Sequence, residues 1–166
     1  MAQTLRPTSD ATNTGTGGFG DIDEASASDA DFWWGDNNVA ETLEVHVGDP
    51  TTPLSGTCTV RYRIAKTNAG TVDGGGNAVT VTAEVYEGAT QQATDSAQTA
   101  TGSWTPYEFT FAASAVTDWT DVRLRFTTSA SGGSPANRRG GAVSWAELET
   151  PDPSSGHRPR AFAVVI

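Results

Sequence analysis

The side chains that most often carry out catalysis are scarce in this sequence. It contains two histidines, His46 and His157, and one cysteine, Cys58. A Ser–His–Asp triad or a zinc site needs more such groups close together. His46 falls on the outward side of a predicted strand, whereas Cys58 falls on the inward side, where a small buried residue is expected. We therefore predict that the protein is not an enzyme and requires no cofactor.

The densest acidic stretch, DIDEASASDAD at residues 21–31, could supply oxygen ligands to calcium. The stretch lacks the glycine and the glutamate that an EF-hand loop carries at its sixth and twelfth positions. We interpret it chiefly as a solvated acidic segment, with a calcium site as the alternative. The candidate ligands would be Asp21, Asp23, Asp29 and Asp31.

Five tryptophans offer aromatic surface for binding. Trp33 and Trp34 are adjacent, so in an extended segment they point to opposite faces. One of them can then lie in the core while the other is exposed, where it could stack on a sugar ring or on a neighbouring subunit. The simpler interpretation is that most of the five pack in the core or at its rim.

Arginines recur in the related segments VRYRI and VRLRF, which place four of them on outward faces. We expect cross-strand ion pairs there, each contributing only tenths of a kcal/mol. Arg138 and Arg139 lie instead in a Gly-rich loop, PANRRGG, and are predicted partner contacts. The four strand arginines are Arg61, Arg63, Arg123 and Arg125, and the candidate partners are Glu41, Glu44, Glu84 and Glu108.

The segment HRPRAFAVVI at residues 157–166 follows a polar linker, PDPSSG. Its β-branched and aromatic content favours an extended arm that adds a strand to the sheet edge of a neighbouring subunit. The alternative is that the segment folds back as the last strand of its own domain. The predicted partner-binding residues of this arm are Arg158, Arg160, Phe162, Val164, Val165 and Ile166.

Charge and composition exclude several classes of partner. The formal net charge is -10 and the isoelectric point is about 4.4. The negative electrostatic field of a chain with this charge repels phosphate backbones and anionic lipid, so neither nucleic acid nor membrane is an expected partner. The single cysteine allows no intrachain disulfide. No signal peptide and no apolar run of transmembrane length is apparent, so we expect synthesis in a cytoplasm.

Six windows alternate apolar and polar residues with a period of two, which indicates antiparallel strands with one buried face. In the last window both faces are apolar, so the sequence leaves open whether Trp145 or Leu148 points inward. We predict an all-β, jelly-roll-like sandwich of two antiparallel sheets over residues 20–150. Residues 1–19 would form an N-terminal arm, and residues 151–166 a linker and an apolar C-terminal arm. The windows are residues 40–47, 57–64, 78–87, 104–111, 121–126 and 142–149.

Several stretches of the sequence resemble a group of small virion structural proteins of tailed bacteriophages. They are LRPTSD, DIDEASASDAD, RYRI, RLRF and VSWAELETPDP, and the likeness covers most of residues 4–153. PRAFAVVI is similar to the tail ends of phage structural proteins. The resemblance implies a β-sandwich on the outer capsid surface, made in the host cytoplasm. It also implies a capsid decoration (cement) protein that binds the major capsid protein and neighbouring copies of itself and stabilises the head.

Two other functions are compatible with the sequence. A jelly roll with exposed aromatics could be the glycan-binding domain of a head or tail fibre, with a host glycan as ligand. A sandwich of this size could also be a minor tail or baseplate component. The sequence does not separate a head location from a tail location.

Overall fold

The computed structural model describes residues 2–52 and 54–153, and these form a sandwich of two antiparallel six-stranded sheets. The predicted fold class is therefore confirmed. No helix in the described part of the chain is long and apolar enough to cross a membrane. The strands are β1 (Gln3–Leu5), β2 (Pro7–Asn13), β3 (Trp33–Trp34), β4 (Thr42–Val47), β5 (Thr57–Asn68), β6 (Thr71–Val72), β7 (Thr80–Glu87), β8 (Thr90–Thr94), β9 (Gln98–Thr99), β10 (Thr105–Ala112), β11 (Val122–Thr128) and β12 (Gly140–Thr150). Short 3-10 turns occupy Phe19–Asp21, Ala113–Ala115, Trp119–Asp121 and Pro135–Asn137.

Strands that are neighbours in space are mostly not neighbours in sequence. Sheet A has the order β1-β12-β5-β10, with β3 also paired to β12 and β6 to β5. Sheet B has the order β2-β4-β11-β7-β8, with β9 also paired to β7. Crossovers of this kind between two packed antiparallel sheets are typical of Greek-key and jelly-roll sandwiches.

The core forms between the inner faces of the two sheets. Alternate residues of β5, such as Val60, Tyr62 and Ile64, are fully buried, as are Leu124 and Phe126 of β11. The rings of Tyr62 and Phe126 pack across the interface with centroids 5.7 Å apart. Burying a side chain of this size stabilises the fold by about 1.5–3 kcal/mol, so the alternation seen in the sequence drives the stacking of the sheets.

The N-terminal residues belong to the sandwich, which corrects the predicted arm at residues 1–19. β1 pairs with β12 so that Leu5 lies opposite Leu148, and β2 pairs with β4. Leu5 and Pro7 are buried, whereas most of the other residues in these two strands are polar and at least partly exposed. A single leucine in a polar segment gives no periodic signal, because the rest of the apolar surface comes from distant strands.

At the C-terminal side, β12 ends at Thr150, and Pro153 forms an isolated bridge with Leu54. The six arm residues predicted to bind a partner lie outside the described residues. The arm therefore stays a prediction. These residues are Arg158, Arg160, Phe162, Val164, Val165 and Ile166.

The four strand arginines form ion pairs, but of the predicted partners only Glu44 and Glu108 take part in the described part of the chain, and Arg63 pairs instead with Asp29. In sheet B, Glu44 is buried beneath the guanidinium groups of Arg123 and Arg125, at 3.0 and 2.6 Å. Arg125 also lies 3.6 Å from the ring centroid of Tyr86, a cation–π geometry. The outer face of sheet B therefore carries a ladder of paired charges that also covers part of the Tyr86 ring.

Candidate functional site

A β-bulge decides which face of sheet A carries Trp145. The pairing of β12 with β5 shifts by one residue between Val143 and Trp145. After the shift, Ala146 and Leu148 point into the core and are buried, whereas Trp145 points away from sheet B and is half-buried. Bulges re-aim side chains in this way, and here the bulge puts a large aromatic ring on the outer face of the sheet.

Trp145 is held by the connection between β2 and β3. Its indole Nε1 donates a hydrogen bond to the main-chain carbonyl of Glu24 at 3.0 Å. Arg6 fixes the same connection by donating to the carbonyls of Glu24 and Ala25 at 2.6 and 2.9 Å. The polar atom of the indole is thus used within the protein, and the ring itself is left as rigid apolar surface.

A groove of about 310 Å³ lies beside this ring on the outer face of sheet A. Trp145 and Pro106 form its apolar walls, and Arg61 and Glu108 contribute charged groups. Tyr62 and Tyr107 also line the groove, but their rings pack toward the core, so they supply main chain to its floor. Residues of β5, β10 and β12, which are far apart in sequence, therefore meet at one site.

The charged groups of the groove are fixed by a network. The Arg61 guanidinium contacts Glu108 at 3.2 Å and Glu147 at 3.1 Å, and it also binds Glu149. The hydrogen bond to Glu149 is the main reason that the pKa of Arg61 is raised. The side chain of Glu108 is 64% exposed, so its carboxylate is accessible from the groove even while it holds Arg61.

The tryptophan pair divides between the core and the surface, as two adjacent residues of an extended segment must. Trp33 is fully buried, and its Nε1 donates to Asn13 Oδ1 at 3.0 Å. Trp33 is therefore the member of the pair that packs in the core, and it is not available as an exposed contact. Trp34 is half-buried and packs over Gly70, where a Cβ would lie within 3.1 Å of the indole ring. The open aromatic groove is instead at Trp145.

Acidic side chains of residues 21–31 are bound by groups elsewhere in the protein. Asp21 Oδ2 accepts from the amide of Gly18 at 2.7 Å, and Asp29 is bound by Ser144 at 2.7 Å and Arg63 at 2.9 Å. Among residues 2–52 and 54–153, no group of three or more His, Cys, Asp or Glu is arranged to hold a metal ion. The four predicted calcium ligands, including Asp23 and Asp31, are thus not brought together as a coordination shell.

The loop arginines are used internally. Arg139 is buried, and it forms an ion pair with Asp73 at 2.8 Å while donating to the carbonyl of Ala136 at 3.1 Å. The structure therefore places Arg139 inside the loop cluster and corrects the prediction of an exposed partner contact. Arg138 is half-buried and donates to the carbonyl of Gly133 at 3.3 Å.

A second cavity, of about 430 Å³, lies between the β4–β5 and β10–β11 loops at one end of the sandwich. Among the described residues that line it, the one aromatic is Trp119, which is only 8% exposed, so little of its indole face is available to a ligand. The groove beside Trp145 therefore offers the better binding geometry.

Cys58 lies in the core, and burial raises the pKa of its thiol to about 11.

The comparisons with known proteins concern the fold. No protein-family model matches the chain, and no curated protein matches it. Solved structures with a similar fold include the N-terminal cellulose-binding domain of a Cellulomonas fimi β-1,4-glucanase (TM-score 0.49, 16% identity, 88% of this chain and 97% of that one). Another is the C-terminal family-6 carbohydrate-binding module of a Zobellia galactanivorans laminarinase (TM-score 0.47, 12% identity, 91% and 100%). A third is a family-6 module of Cellvibrio mixtus lichenase 5A in complex with cellotriose (TM-score 0.43, 20% identity, 90% and 97%). These structures share the sandwich fold with this chain, and similarity at this level says nothing about what the chain binds.

Proposed function

We propose that this protein is a glycan-binding jelly-roll domain and that the groove beside Trp145 is its binding site. The observation that carries the proposal is the rigid indole of Trp145 lying next to the fixed charged groups of Arg61 and Glu108. An apolar surface with a few oriented polar groups is the usual composition of a small-molecule site.

The chemistry of the groove suits a sugar ring. The C–H face of a pyranose is apolar and stacks on an indole, while its hydroxyl groups point outward in the plane of the ring and need partners. A guanidinium supplies only donors and a carboxylate supplies only acceptors, so Arg61 and Glu108 together can satisfy a hydroxyl in either role. Neither side chain has to be reoriented, because each already holds the other.

Electrostatics favour a neutral glycan. Arg61 is surrounded by three carboxylates, so the groove carries no net positive charge to attract an anionic sugar. The formal net charge of the chain, -10, adds a field that repels anionic polysaccharides. The expected ligand class is therefore a neutral hexose polymer or the neutral part of a surface glycan.

The resemblance of the sequence to virion structural proteins of tailed phages supports a place for this domain on a virus particle. We propose the outer surface of a tailed-phage particle, with a host glycan as ligand, and capsid decoration as the alternative role. Quantitative mass spectrometry of purified particles separates these roles. A copy number comparable to that of the major capsid protein indicates head decoration, whereas a far lower number indicates a fibre, tail or baseplate.

Affinity gel electrophoresis against neutral β-glucans, mannans and galactans tests the binding proposal. We expect at least one polysaccharide to retard the full chain and Trp145→Ala to weaken that binding about tenfold or more. Tyr86→Ala is the matched control, because it removes a half-buried aromatic from the outer face of the other sheet. No retardation of the wild type, or equal retardation of both variants, would contradict the proposal.

A further inference from the structure

The groove beside Trp145 runs along β5. Its two apolar walls, Trp145 and Pro106, stand on β12 and β10, which flank β5 on either side. Both walls lie opposite Arg63 in the pairing of the strands, so they face each other across one residue of β5. A chain of sugars between these walls must therefore follow β5, toward Arg61 in one direction or toward Ala65 in the other.

Two aromatic rings meet across the sheet on the Ala65 side of the groove. Phe32 comes directly before β3 and Trp104 directly before β10, and the strands β12 and β5 lie between them. The ring centroids are 5.2 Å apart with 62° between the ring planes, an edge-to-face contact that leaves no room for a ligand between the rings. Neither ring belongs to the core between the two sheets. We call Phe32 and Trp104 the aromatic arch.

Two buried alanines show that the outer face of sheet A is covered at this point. Ala65 and Ala142 lie opposite each other on β5 and β12. Each is next to a core residue of its own strand, Ile64 and Val143 respectively, so alternation directs both alanine side chains to the outer face. Both are nonetheless fully buried without belonging to the core cluster. The aromatic arch, whose rings meet above these two strands, accounts for their burial.

Polar groups lie between Trp145 and the aromatic arch. Asp29 pairs with Arg63 at 2.9 Å and accepts a hydrogen bond from the hydroxyl of Ser144 at 2.7 Å. Ser144 directly precedes Trp145 in the bulge, so the ion pair lies beside the indole on its arch side. The arch begins about 7 Å beyond the groove wall on β10, because two residues of a strand span that distance.

We propose that the groove ends at the aromatic arch and binds the terminal sugar of a glycan chain. A sugar stacked on Trp145 meets the Arg63–Asp29 pair and then the arch along β5, so the glycan can continue from it in one direction only. A terminal sugar has a free hydroxyl where an internal sugar has a linkage, and Asp29 can accept from that hydroxyl while Arg63 can donate to it. Recognition of a chain end rests on the proposed function of the groove and adds which part of the glycan is bound.

The number of binding sites per gram of polysaccharide tests this specificity. Isothermal titration calorimetry on the full chain would use soluble linear β-glucan, β-mannan and β-galactan, each intact and after limited acid hydrolysis to shorter chains. For a polysaccharide that binds, we expect the sites per gram to rise in proportion to the number of chain ends, so that halving the chain length doubles them.

Two results would count against the proposal, and they are distinguishable. Binding with a number of sites per gram that does not depend on chain length would overturn recognition of the chain end and leave the proposed function intact. Failure of every polysaccharide to bind, whether intact or shortened, would contradict the proposed function and chain-end recognition with it.

Phe32→Ala tests the aromatic arch directly, because it removes one of the two rings that close the groove. We expect this variant to bind several times more sites per gram of intact polysaccharide than the wild type does, since internal sugars can then enter. Trp34→Ala is the matched control: its ring is a neighbouring half-buried aromatic that packs over Gly70, outside the arch. Equal site numbers for the two variants would overturn the role of the arch.

Trp104→Ala removes the other ring of the arch and keeps the test independent of any one variant. Melting temperatures establish which variants are folded. Each folded arch variant should show the gain of sites on intact chains, and a folded arch variant that retains the wild-type dependence on chain length would contradict the proposal.

Discussion

The hydroxyl of Tyr62 donates a hydrogen bond to Asp95 Oδ2 at 2.6 Å, and this bond joins the two sheets of the sandwich. Tyr62 lies on β5 in sheet A, whereas Asp95 follows β8 in sheet B. Gln98 donates to the same carboxylate oxygen at 3.1 Å, and the amide of Asp95 donates to the carbonyl of Ala83 at 2.9 Å. Burial, followed by the bond to Asp95, raises the pKa of Tyr62.

Replacing Tyr62 with Phe should lower the free energy of unfolding by about 1 kcal/mol, since the part-buried carboxylate of Asp95 loses one of its donors while the ring packing is kept. Urea denaturation measures this change. Tyr107→Phe is the control, because the two rings stack at 5.9 Å but the Tyr107 hydroxyl makes no hydrogen bond to a described residue. Equal effects of the two substitutions would show that the bond across the sheets contributes nothing.

Glu87 should make stability depend on pH in the acid range. Its carboxylate accepts from Thr117 Oγ1 and from the amides of Thr117 and Asp118, at 3.0 and 2.8 Å for the amides. The hydrogen bond from the Thr117 side chain is the main reason that the pKa of Glu87 lies below the usual 4.5. In the unfolded chain Glu87 protonates near 4.5, and in the folded chain it protonates at lower pH. Its contribution is therefore present above 4.5 and is lost as pH falls through the folded pKa.

Glu87→Gln should accordingly be less stable than wild type at neutral pH, and the difference should shrink as the pH is lowered below 4.5. Thermal unfolding between neutral and acid pH measures both curves. Glu84→Gln, on the same strand, controls for the general loss of one negative charge. A difference between Glu87→Gln and wild type that is constant with pH would be the contrary result.

Gly140 is required by the close approach of two backbones. A Cβ at this position would lie 2.0 Å from the carbonyl oxygen of Gly35, and backbone cannot move aside as a side chain can. Gly140→Ala should therefore cost about 2 kcal/mol or more in unfolding free energy. Gly48→Ala is the matched control, because no atom lies within 4 Å of its added Cβ. Similar melting temperatures for the two variants would refute the steric argument.

Alternation in the sequence was enough to predict the strands of the core. All six windows contain strands, and most of the inward residues that they indicate, such as Val60 and Leu124, are buried, whereas Tyr107 and Phe109 on β10 are only partly buried. The two N-terminal strands were missed because their pairing depends on β12 and β4, which are distant in sequence. Local periodicity cannot report an element that is stabilised almost entirely by its partners.

The groove could not be predicted for a related reason. The direction of Trp145 depends on a one-residue shift in the pairing of β12 with β5. Because residues 142–149 have apolar side chains on both faces, their alternation does not reveal where that shift occurs. Arg61 and Glu108 were both among the residues predicted to form ion pairs across the strands, and they bind each other. Their position next to Trp145 follows only from the strand order β12-β5-β10. The burial of Arg139 depends likewise on Asp73, a residue of another loop.

NMR of the five indole N–H groups during titration with a polysaccharide that binds tests the central claim most directly. Trp145→Phe assigns the resonance of Trp145, whose N–H is bonded to Glu24. We predict that this resonance shifts on titration, together with the Arg61 Nε–H signal, while the resonances of buried Trp33 and of Trp119 stay in place. A titration that shifts Trp119 and leaves Trp145 unchanged would put the ligand in the cavity at the end of the sandwich and contradict the account.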